Sequence, residues 1–237
     1  MCGCVMPPLD VVGRLDDRVL FDPPELGTKL YMPFLPGGGD VLFDRSPYGA
    51  HGAISNAQWT GPPDSFLEFD YTIPSYVEIP ASYDQLDFTS GEFSIVMRVY
   101  VNTPRDFSRL LSRGRSSVDG HFFFMDHRGV LEFRTSQLGA AQRTWTDVGV
   151  VTNSSLQTIG LTRDGANVTL LRNGVDVTDT PGTHIDPATS ARSFKIGVDR
   201  TLGGHGLDGK VQFLLIAGRA FSVYDHQRWH RILSGSA

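Results

Sequence analysis

The chain contains few cysteines and no long apolar run. Its two cysteines, Cys2 and Cys4, both lie at the start of the sequence, so a disulfide cannot connect distant parts of the fold. A lone Cys-x-Cys pair also falls short of the four ligands that a tetrahedral zinc site needs. The apolar stretch over residues 211–217 is far shorter than the roughly 20 residues of a membrane-spanning helix, so we expect no membrane partner.

An excess of positive charge is also absent, since the formal net charge is -5. Proteins that bind nucleic acids generally need a basic surface that displaces counterions from the phosphates, so we expect no nucleic-acid partner. The opening segment, MCGCVMPPLD, has neither a basic region nor a long apolar run. This predicts that the chain carries no secretion signal and assembles in a cytoplasm.

The residues that are abundant are typical of a turn-rich all-β protein. The chain has 26 glycines and 14 prolines, which disfavours a helical fold, and 40% hydrophobic residues, which suffices for a full core. Residues 92–101 alternate apolar and polar side chains, as a half-buried strand does. The dipeptides Asp164-Gly165 and Asn173-Gly174 predict two tight hairpin turns and therefore a meander of three strands.

One helix is predicted near the end of the chain, over residues 222–233. Ser222 is a suitable N-cap, Asp225 places a carboxylate in the first turn, and Gly235 is a typical stop. We expect four apolar side chains to share the buried face of this helix: Val223, Trp229, Ile232 and Leu233.

The sequence divides into an N-terminal arm, residues 1–28, and one domain, residues 29–237. The arm contains two Pro-Pro pairs and isolated apolar residues without a sustained period, which indicates extended chain that lies on another surface. We expect the arm to dock the protein onto a partner or a sister subunit through its cysteines and apolar residues: Cys2, Cys4, Val11, Val12, Leu15, Val19, Leu20 and Phe21.

A series of segments in a characteristic order covers most of the chain, over residues 30–54, 66–80, 161–177, 194–199 and 209–229. They include FLEFDYTIPSYVEIP, LTRDGANVTLLRNGVDV and FKIGVD. Their order and spacing resemble the laminin-G-like, concanavalin A-like jelly-roll family of lectins and glucanases. The resemblance implies an all-β fold, namely a two-sheet antiparallel jelly-roll sandwich with an extended N-terminal arm and one short C-terminal helix.

The resemblance does not imply one activity, because this fold hosts hydrolases, lectins, adhesins and structural modules. Glucanases of this fold carry catalytic carboxylates on one strand as E-x-D-x-x-E, with nucleophile and acid on one face. Glu68 and Asp70 match the first two positions, but Ile73 stands where the second Glu belongs. We therefore expect no catalytic residues and no enzymatic activity, and we interpret Glu68 and Asp70 as solvated acids of a strand and a turn.

Many relatives hold a calcium ion, and Asp44 matches their ligand in the early turn. Gln212 and Phe213 stand where acidic ligands of the last strand are expected. A hard cation prefers carboxylate oxygens, so we expect no cofactor. Asp44 is the candidate calcium ligand, and the alternative that we favour is a turn-forming Asp that accepts backbone hydrogen bonds.

Aromatic side chains provide candidates for stacking on a sugar, since one of their faces is apolar and suits a sugar ring. We place these candidates in exposed loops: Tyr48, Trp59 and Trp145. For a tryptophan of a sandwich fold, packing in the core or at its rim is the alternative interpretation.

Two groups of basic side chains are interpreted as surface residues. His226 and His230 have the spacing of metal ligands on a helix, but they lack a nearby third ligand, so we expect surface histidines. A locally basic run predicts a solvated or partner-facing surface, and it consists of Arg105, Arg109, Arg113 and Arg115.

The leading interpretation is a non-enzymatic virion structural protein, namely a phage capsid decoration protein whose jelly roll faces outward and whose arm docks on the shell. This extends the resemblance by analogy to phage decoration and tail-fibre proteins. It predicts a location on the virion, with the major capsid protein or another virion protein as partner, and a homo-oligomer, with a trimer as one form. The alternative is a carbohydrate-binding or adhesion module at a cell or virion surface, with a glycan as partner.

Overall fold

A computed structural model describes residues 27–35, 37–60, 65–89, 91–202 and 204–235 of the protein. Nearly half of these residues form two antiparallel β-sheets that pack face to face, and one helix follows the last strand. The predicted all-β jelly-roll sandwich with one C-terminal helix is therefore confirmed.

The first sheet contains the longest strands, and its central strands are β7 and β17. Its strand order is β14-β13-β12-β7-β17-β5-β4, and β1 pairs with the second half of β17. The strands are β1 (Thr28–Met32), β4 (Gln58–Thr60), β5 (Phe66–Phe69), β7 (Phe93–Val101), β12 (Leu156–Asp164), β13 (Asn167–Arg172), β14 (Val175–Asp176) and β17 (Gly209–Ala217).

The second sheet has the order β15-β11-β10-β9-β8-β16-β6-β3-β2. Consecutive hairpins join β8 to β9, β9 to β10 and β10 to β11, so these strands lie side by side. The strands are β2 (Val41–Leu42), β3 (Gly52–Ser55), β6 (Tyr76–Ile79), β8 (Ser108–Arg115), β9 (Asp119–Met125), β10 (Leu131–Gln137), β11 (Ala140–Thr146), β15 (Thr178–Thr180) and β16 (Phe194–Ile196).

The core between the sheets is built by the alternation of side chains along each strand. Ile95 and Met97 of β7 and Phe123 of β9 are fully buried there, together with Leu131 and Phe133 of β10. The side chains between them on β9 and β10 consequently point to the other face of the second sheet.

A second apolar cluster lies between the opposite face of the first sheet and helix α1 (Val223–Ser234). Trp229 of the helix is completely buried, and its ring centroid lies 5.3 Å from that of Phe213 in β17. The predicted N-cap is present as a capping box, in which Ser222 and Asp225 satisfy each other's backbone N–H groups. Gly235 ends the helix in the left-handed conformation.

The buried face of α1 differs from the prediction at one position. Trp229 and Leu233 are buried and Ile232 packs against them, but Val223 is 42% exposed. His226 occupies the buried face instead, because it lies one helical turn before Trp229. The interpretation of His226 as a surface histidine is therefore wrong.

The predicted hairpins of the meander β12-β13-β14 are present. Asn173 and Gly174 both have positive φ, as a two-residue turn with the twist of the strands requires. The boundary between arm and domain stays a prediction, because residues 1–26 lie outside the described residues, and the docking side chains proposed there lie among them.

Candidate ligand-binding groove

A groove of about 550 Å³ lies on the outer face of the second sheet. Strands β9, β10 and β11 form its floor, and the turn after β9 forms one of its rims. The groove exists because β10 alternates: Leu131 and Phe133 enter the core, so Glu132 points outward between them.

The strand register aligns three groove residues and the neighbouring Arg109 in one row across four strands. Glu132 pairs with Phe124 on β9 and with Trp145 on β11. Phe124 in turn pairs with Arg109 on β8. Directly opposed residues of antiparallel strands project from the same face, so this row places a guanidinium, two aromatic rings and a carboxylate next to one another.

Glu132 is the best-fixed polar group of the groove. It is 8% exposed, and its carboxylate forms ion pairs of 2.8 Å with both Arg134 and Arg143. Arg143 donates from Nε to Oε1 at 2.8 Å and from Nη2 to Oε2 at 3.2 Å. The hydrogen bond to Glu132 raises the pKa of Arg143 above its ordinary value. Two charge-assisted contacts therefore hold the carboxylate in one orientation.

Aromatic side chains line the groove beside this carboxylate. Trp145 is half-buried, and the Arg143 guanidinium lies 5.6 Å from its ring centroid. Phe124 is almost fully buried in the floor, and Phe107 covers its edge at 5.9 Å between centroids. Phe107 is 43% exposed and has a φ of 58°, a left-handed conformation that is costly for an aromatic residue. The backbone at the groove edge is thus strained.

The rim of the groove carries both acidic and basic side chains. Asp126 accepts hydrogen bonds from the backbone N–H groups of Arg128 and Val130 and forms an ion pair of 2.7 Å with the Arg128 side chain. His127 pairs with Asp106, and their hydrogen bond lowers the pKa of Asp106. Exposed donors and acceptors therefore surround a partly aromatic floor, which is the usual composition of a site for a small polar ligand.

The three aromatic candidates from the sequence are separated in the structure. Trp145 lies in the groove. Trp59 packs against the core, 6.3 Å edge-on from Phe34, and its Nε1 donates to the carbonyl of Gly39 at 2.9 Å. Tyr48 is 50% exposed in a turn. Trp59 and Trp145 lie on strands β4 and β11, so their placement in loops is corrected.

Asp44 is buried, at 4% exposure, and all of its acceptor positions are used. One carboxylate oxygen accepts from the backbone N–H groups of Tyr31 and Ser46, both at 2.8 Å. The other accepts from the Ser46 hydroxyl at 2.6 Å and from the Ala50 N–H at 2.7 Å. These bonds tie β1 to the following turn. Among the described residues, no group of three or more acidic, His or Cys side chains has a metal-binding arrangement.

The acids of the glucanase-like motif lie outside the groove. Glu68 forms an ion pair of 3.4 Å with Lys210 on the neighbouring strand. Asp70 accepts from the backbone and the hydroxyl of Thr72 in a turn. Neither faces the cluster around Glu132.

The interpretation of the basic run as a solvated or partner-facing surface is wrong for two of its four members. Arg113 is 1% exposed and forms an ion pair of 2.9 Å with Asp87 inside the fold. Arg109 is 5% exposed beneath the groove edge. The rings of Phe122 and Phe124 on the neighbouring strand β9 lie 5.0 Å and 4.4 Å from the Arg109 guanidinium and help to cover it.

Sequence reasoning missed most of the groove. Glu132 and Arg134 alternate with Leu131 and Phe133, so the pattern LEFR already indicated two charged side chains on one outward face. Strand β11 gave no such signal, because AAQRTWT has few apolar residues. The row that joins Glu132 to Trp145 depends on the pairing of these two strands.

No helix within the described part of the chain is long and apolar enough to cross a membrane. Comparison with curated proteins finds no match to this sequence.

Several solved structures share the fold. The binding domain of paraclostridial mosquitocidal protein 1 has a TM-score of 0.68 at 13% identity, over 86% of this chain and 52% of that one. The binding domain of botulinum neurotoxin DC in complex with rat synaptotagmin II has a TM-score of 0.65 at 11% identity, over 87% and 52%. A structure of botulinum neurotoxin type C, which depends on interaction with two ganglioside molecules to enter cells, has a TM-score of 0.66 at 10% identity, over 87% and 51%.

This chain thus spans about half the length of these toxin chains, and at such low identity the likeness shows the fold alone. A sequence model of the concanavalin A-like lectin/glucanase superfamily, of the laminin G type, matches residues 73–225. The matched region contains the whole groove and most of both sheets. From this match and from the two-sheet sandwich, the chain belongs to the concanavalin A-like lectin/glucanase superfamily.

Proposed function

We propose that this protein is a non-enzymatic carbohydrate-binding or adhesion module whose ligand lies in the groove of the second sheet. The observation that carries this proposal is the row in which Trp145 and Glu132 are directly opposed on the outer face of the second sheet. A sugar presents an apolar face and a rim of hydroxyl groups. An aromatic ring next to a fixed acceptor and several donors matches both.

The rigidity of the site supports binding of a polar ligand. Arg134 and Arg143 orient Glu132, and Arg143 also contacts Trp145. Side chains that are already ordered lose less conformational entropy when a ligand binds. The groove is therefore preorganised without any ligand.

The charge pattern of the groove supports a binding role over hydrolysis. A glycosidase needs one carboxylic acid that stays protonated near neutral pH, and its pKa must be raised. The groove instead has three carboxylates, each engaged by a neighbouring basic side chain: Asp106, Asp126 and Glu132. The hydrogen bond with His127 also lowers the pKa of Asp106.

The test is a glycan array followed by calorimetric titration of the full chain with the best ligands. Trp145→Ala is expected to weaken binding about tenfold or more, as the loss of a central tryptophan does in other interfaces. Trp59→Ala and Tyr48→Ala are the matched controls, since they remove the other two candidate aromatics outside the groove. Wild-type affinity in Trp145→Ala, with loss in either control, would contradict the proposed site.

A place on a virion remains compatible with this proposal, because an adhesion module can act at a cell or a virion surface. Docking on a capsid protein through residues 1–28, and assembly as a homo-oligomer such as a trimer, stay predictions of the sequence. Light scattering tests the predicted oligomer, and co-sedimentation with virus particles from the organism that produces the protein tests the predicted docking. A monomer that never sediments with particles would contradict the virion interpretation and leave the groove proposal intact.

A further inference from the structure

A second cavity, of about 320 Å³, lies on the outer face of the second sheet, across β6, β16 and β8. Glu78, Lys195 and Ser112 line it side by side, because Lys195 is paired with Glu78 on one neighbouring strand and with Ser112 on the other. Arg192, which precedes β16, and Arg200, which follows it, line the same cavity. None of the described residues that line this cavity also lines the groove, so the two are separate places for a ligand.

Arg192 and Arg200 are unusual because their charges are exposed and have no counterpart. Neither guanidinium forms an ion pair, a hydrogen bond or a ring contact with a described residue. Of the other arginines that the structure describes, only Arg115 shares this property, and it lines an adjoining cavity together with Arg200. In a chain whose formal net charge is -5, the unpaired arginines are therefore concentrated at one place.

The acidic side chains near these arginines are already engaged. Glu78, the one acid among the described lining residues, forms an ion pair of 2.7 Å with Lys195. In the adjoining cavity, the Asp199 carboxylate pairs with His205 Nδ1 at 2.7 Å and accepts from the backbone N–H of Thr201 at 2.8 Å. The two arginine charges of the cavity thus remain uncompensated, which favours an anionic ligand.

The backbone holds the two arginines in place although their side chains are free. The backbone N–H of Arg192 donates to the hydroxyl of the buried Ser190 at 3.2 Å. Arg200 lies in a turn in which the Leu202 N–H donates to the carbonyl of Asp199 at 3.3 Å. Anchor points that are fixed before binding reduce the conformational entropy that a ligand-bound state loses.

We propose that this cavity, which we call the Arg192–Arg200 cavity, binds a phosphate monoester. Such a group carries a charge of about −1.5 to −2 at pH 7 and three acceptor oxygens. Guanidinium groups bind phosphates through two parallel hydrogen bonds, so two free arginines match both the charge and the acceptors. The volume lies at the lower end of the range of small-molecule sites, about 300–1,000 Å³, which favours an ester with a small organic group. This site is additional to the proposed groove and does not depend on it.

The test uses the full chain, with thermal unfolding and calorimetric titration as readouts. Both are measured at about 0.15 M salt, where attraction between distant exposed charges is largely screened. The probes are glucose 6-phosphate with glucose, O-phosphoserine with serine, and inorganic phosphate. One or both esters are expected to bind and to raise the thermal midpoint, whereas glucose and serine should do neither. The ester that binds more tightly identifies the type of carrier.

Arg192→Gln and Arg200→Gln each remove one charge and one pair of donors. Both side chains are exposed and unpartnered, so without ligand these variants should unfold like the wild type. Each should bind the ester about tenfold or more weakly, since hydrogen bonds to a charged group are stronger than those to a neutral one. Arg231→Gln on helix α1 is the distant control with the same charge change, and Arg115→Gln is the nearby one. Both controls should bind the ester as the wild type does.

The inference is overturned if neither ester binds, or if Arg231→Gln weakens binding as much as Arg192→Gln does. Binding of inorganic phosphate but of neither ester would contradict the assignment of an ester and restrict the cavity to the free ion. Trp145→Ala should leave ester binding unchanged, because Trp145 lines the groove and not this cavity. The failure of one proposal therefore leaves the other intact.

Discussion

Glu132 and Trp145 are direct cross-strand partners on the outer face of the second sheet, and the guanidinium of Arg143 contacts both. The acceptor and the ring are therefore fixed relative to each other by two strands, by their register and by one ion pair. Such a pair recognises a ligand that offers a hydroxyl group beside an apolar face. The same row continues to Phe124 on β9 and to Arg109 on β8.

Replacement of Glu132 by Gln tests the centre of this row. The amide leaves Arg134 without its anionic partner in a site where the side chain is only 14% exposed. We expect a loss of about 2–3 kcal/mol in the free energy of unfolding, somewhat below the cost of breaking a fully buried pair, and a glycan affinity about tenfold lower. Urea unfolding and calorimetry provide the two measurements.

The matched control for Glu132→Gln is Glu78→Gln on β6 of the same sheet. Glu78 pairs with Lys195 at 2.7 Å, and the side chain of Lys195 is only 9% exposed, so Glu78→Gln should also destabilise the protein, but it should leave glycan binding unchanged. Equal effects of the two substitutions on binding would argue against a role of Glu132 in the groove.

Three buried histidines predict a fall in stability at mildly acidic pH. Burial lowers the pKa of His121 to about 3 and the pKa of both His184 and His226 to about 4, from an ordinary value of 6.5. Below pH 6.5 the unfolded chain binds protons that the folded chain does not, so the free energy of unfolding decreases as the pH falls from about 6.5 to about 4. Each histidine contributes up to about 1.4 kcal/mol per pH unit, and its effect is absent above about pH 7.5.

Urea unfolding at several values between pH 7.5 and pH 5 measures this slope before most carboxylates are protonated. His184→Gln should reduce the slope by about one third, because one of three such groups is removed. An amide can replace its hydrogen bonds to Thr135 and Thr144, both 2.9 Å long. His127→Gln is the exposed control, and a slope that both substitutions change equally would contradict the assignment to buried histidines.

Asp44 is predicted to stabilise the turn after β1 through its hydrogen bonds and without calcium. Asp44→Asn replaces one acceptor oxygen by a donor, so two of the four donors around it lose their partner. At about 1–3 kcal/mol for each unsatisfied buried group, we expect at least about 2 kcal/mol of destabilisation. Asp70→Asn, in an exposed turn, should have little effect.

Whether calcium affects stability is measured on the wild-type protein. Addition of calcium or of a chelator should leave its thermal midpoint unchanged, since the Asp44 oxygens are fully used by N–H and O–H groups. A calcium-dependent midpoint that Asp44→Asn abolishes would instead support Asp44 as a ligand.

The sequence contained enough information for the sandwich but for little of the groove. Strands such as β7 alternate strongly, and the turn at Asn173-Gly174 has one strongly preferred backbone geometry, so local rules predict them. Glu132 lies in the segment LEFR, whose alternation of apolar and charged residues favours a strand. Trp145 lies on β11, whose few apolar residues gave no pattern, so the contact between the two was beyond local rules.

The buried basic residues show a different limit. Arg109 and Arg113 look like surface residues because isolated charges are rarely buried. Arg113 is buried because Asp87 and three backbone carbonyls reach it from distant segments. Such compensation depends on tertiary contacts between residues far apart in the chain, which no local pattern reveals.

Gly160 on β12 is predicted to be required by the packing of His226 from helix α1. A Cβ atom at position 160 would lie 2.6 Å from Nδ1 and 2.8 Å from Cε1 of this imidazole. His226 is 2% exposed, and its Nε2 is hydrogen-bonded to Thr162 at 2.8 Å, so it cannot turn away freely. Gly160→Ala should therefore destabilise the protein by about 1–3 kcal/mol, although Ala usually stabilises a strand relative to Gly by about 0.5–1 kcal/mol.

A double-mutant cycle tests whether His226 causes this cost, because the clash is absent in Gly160→Ala/His226→Ala. Urea unfolding of the wild type, the two single variants and the double variant should give a coupling free energy of at least about 1 kcal/mol between the two positions. Additive effects would show that the helix adjusts to the new methyl group without cost, and that His226 does not determine the residue at position 160.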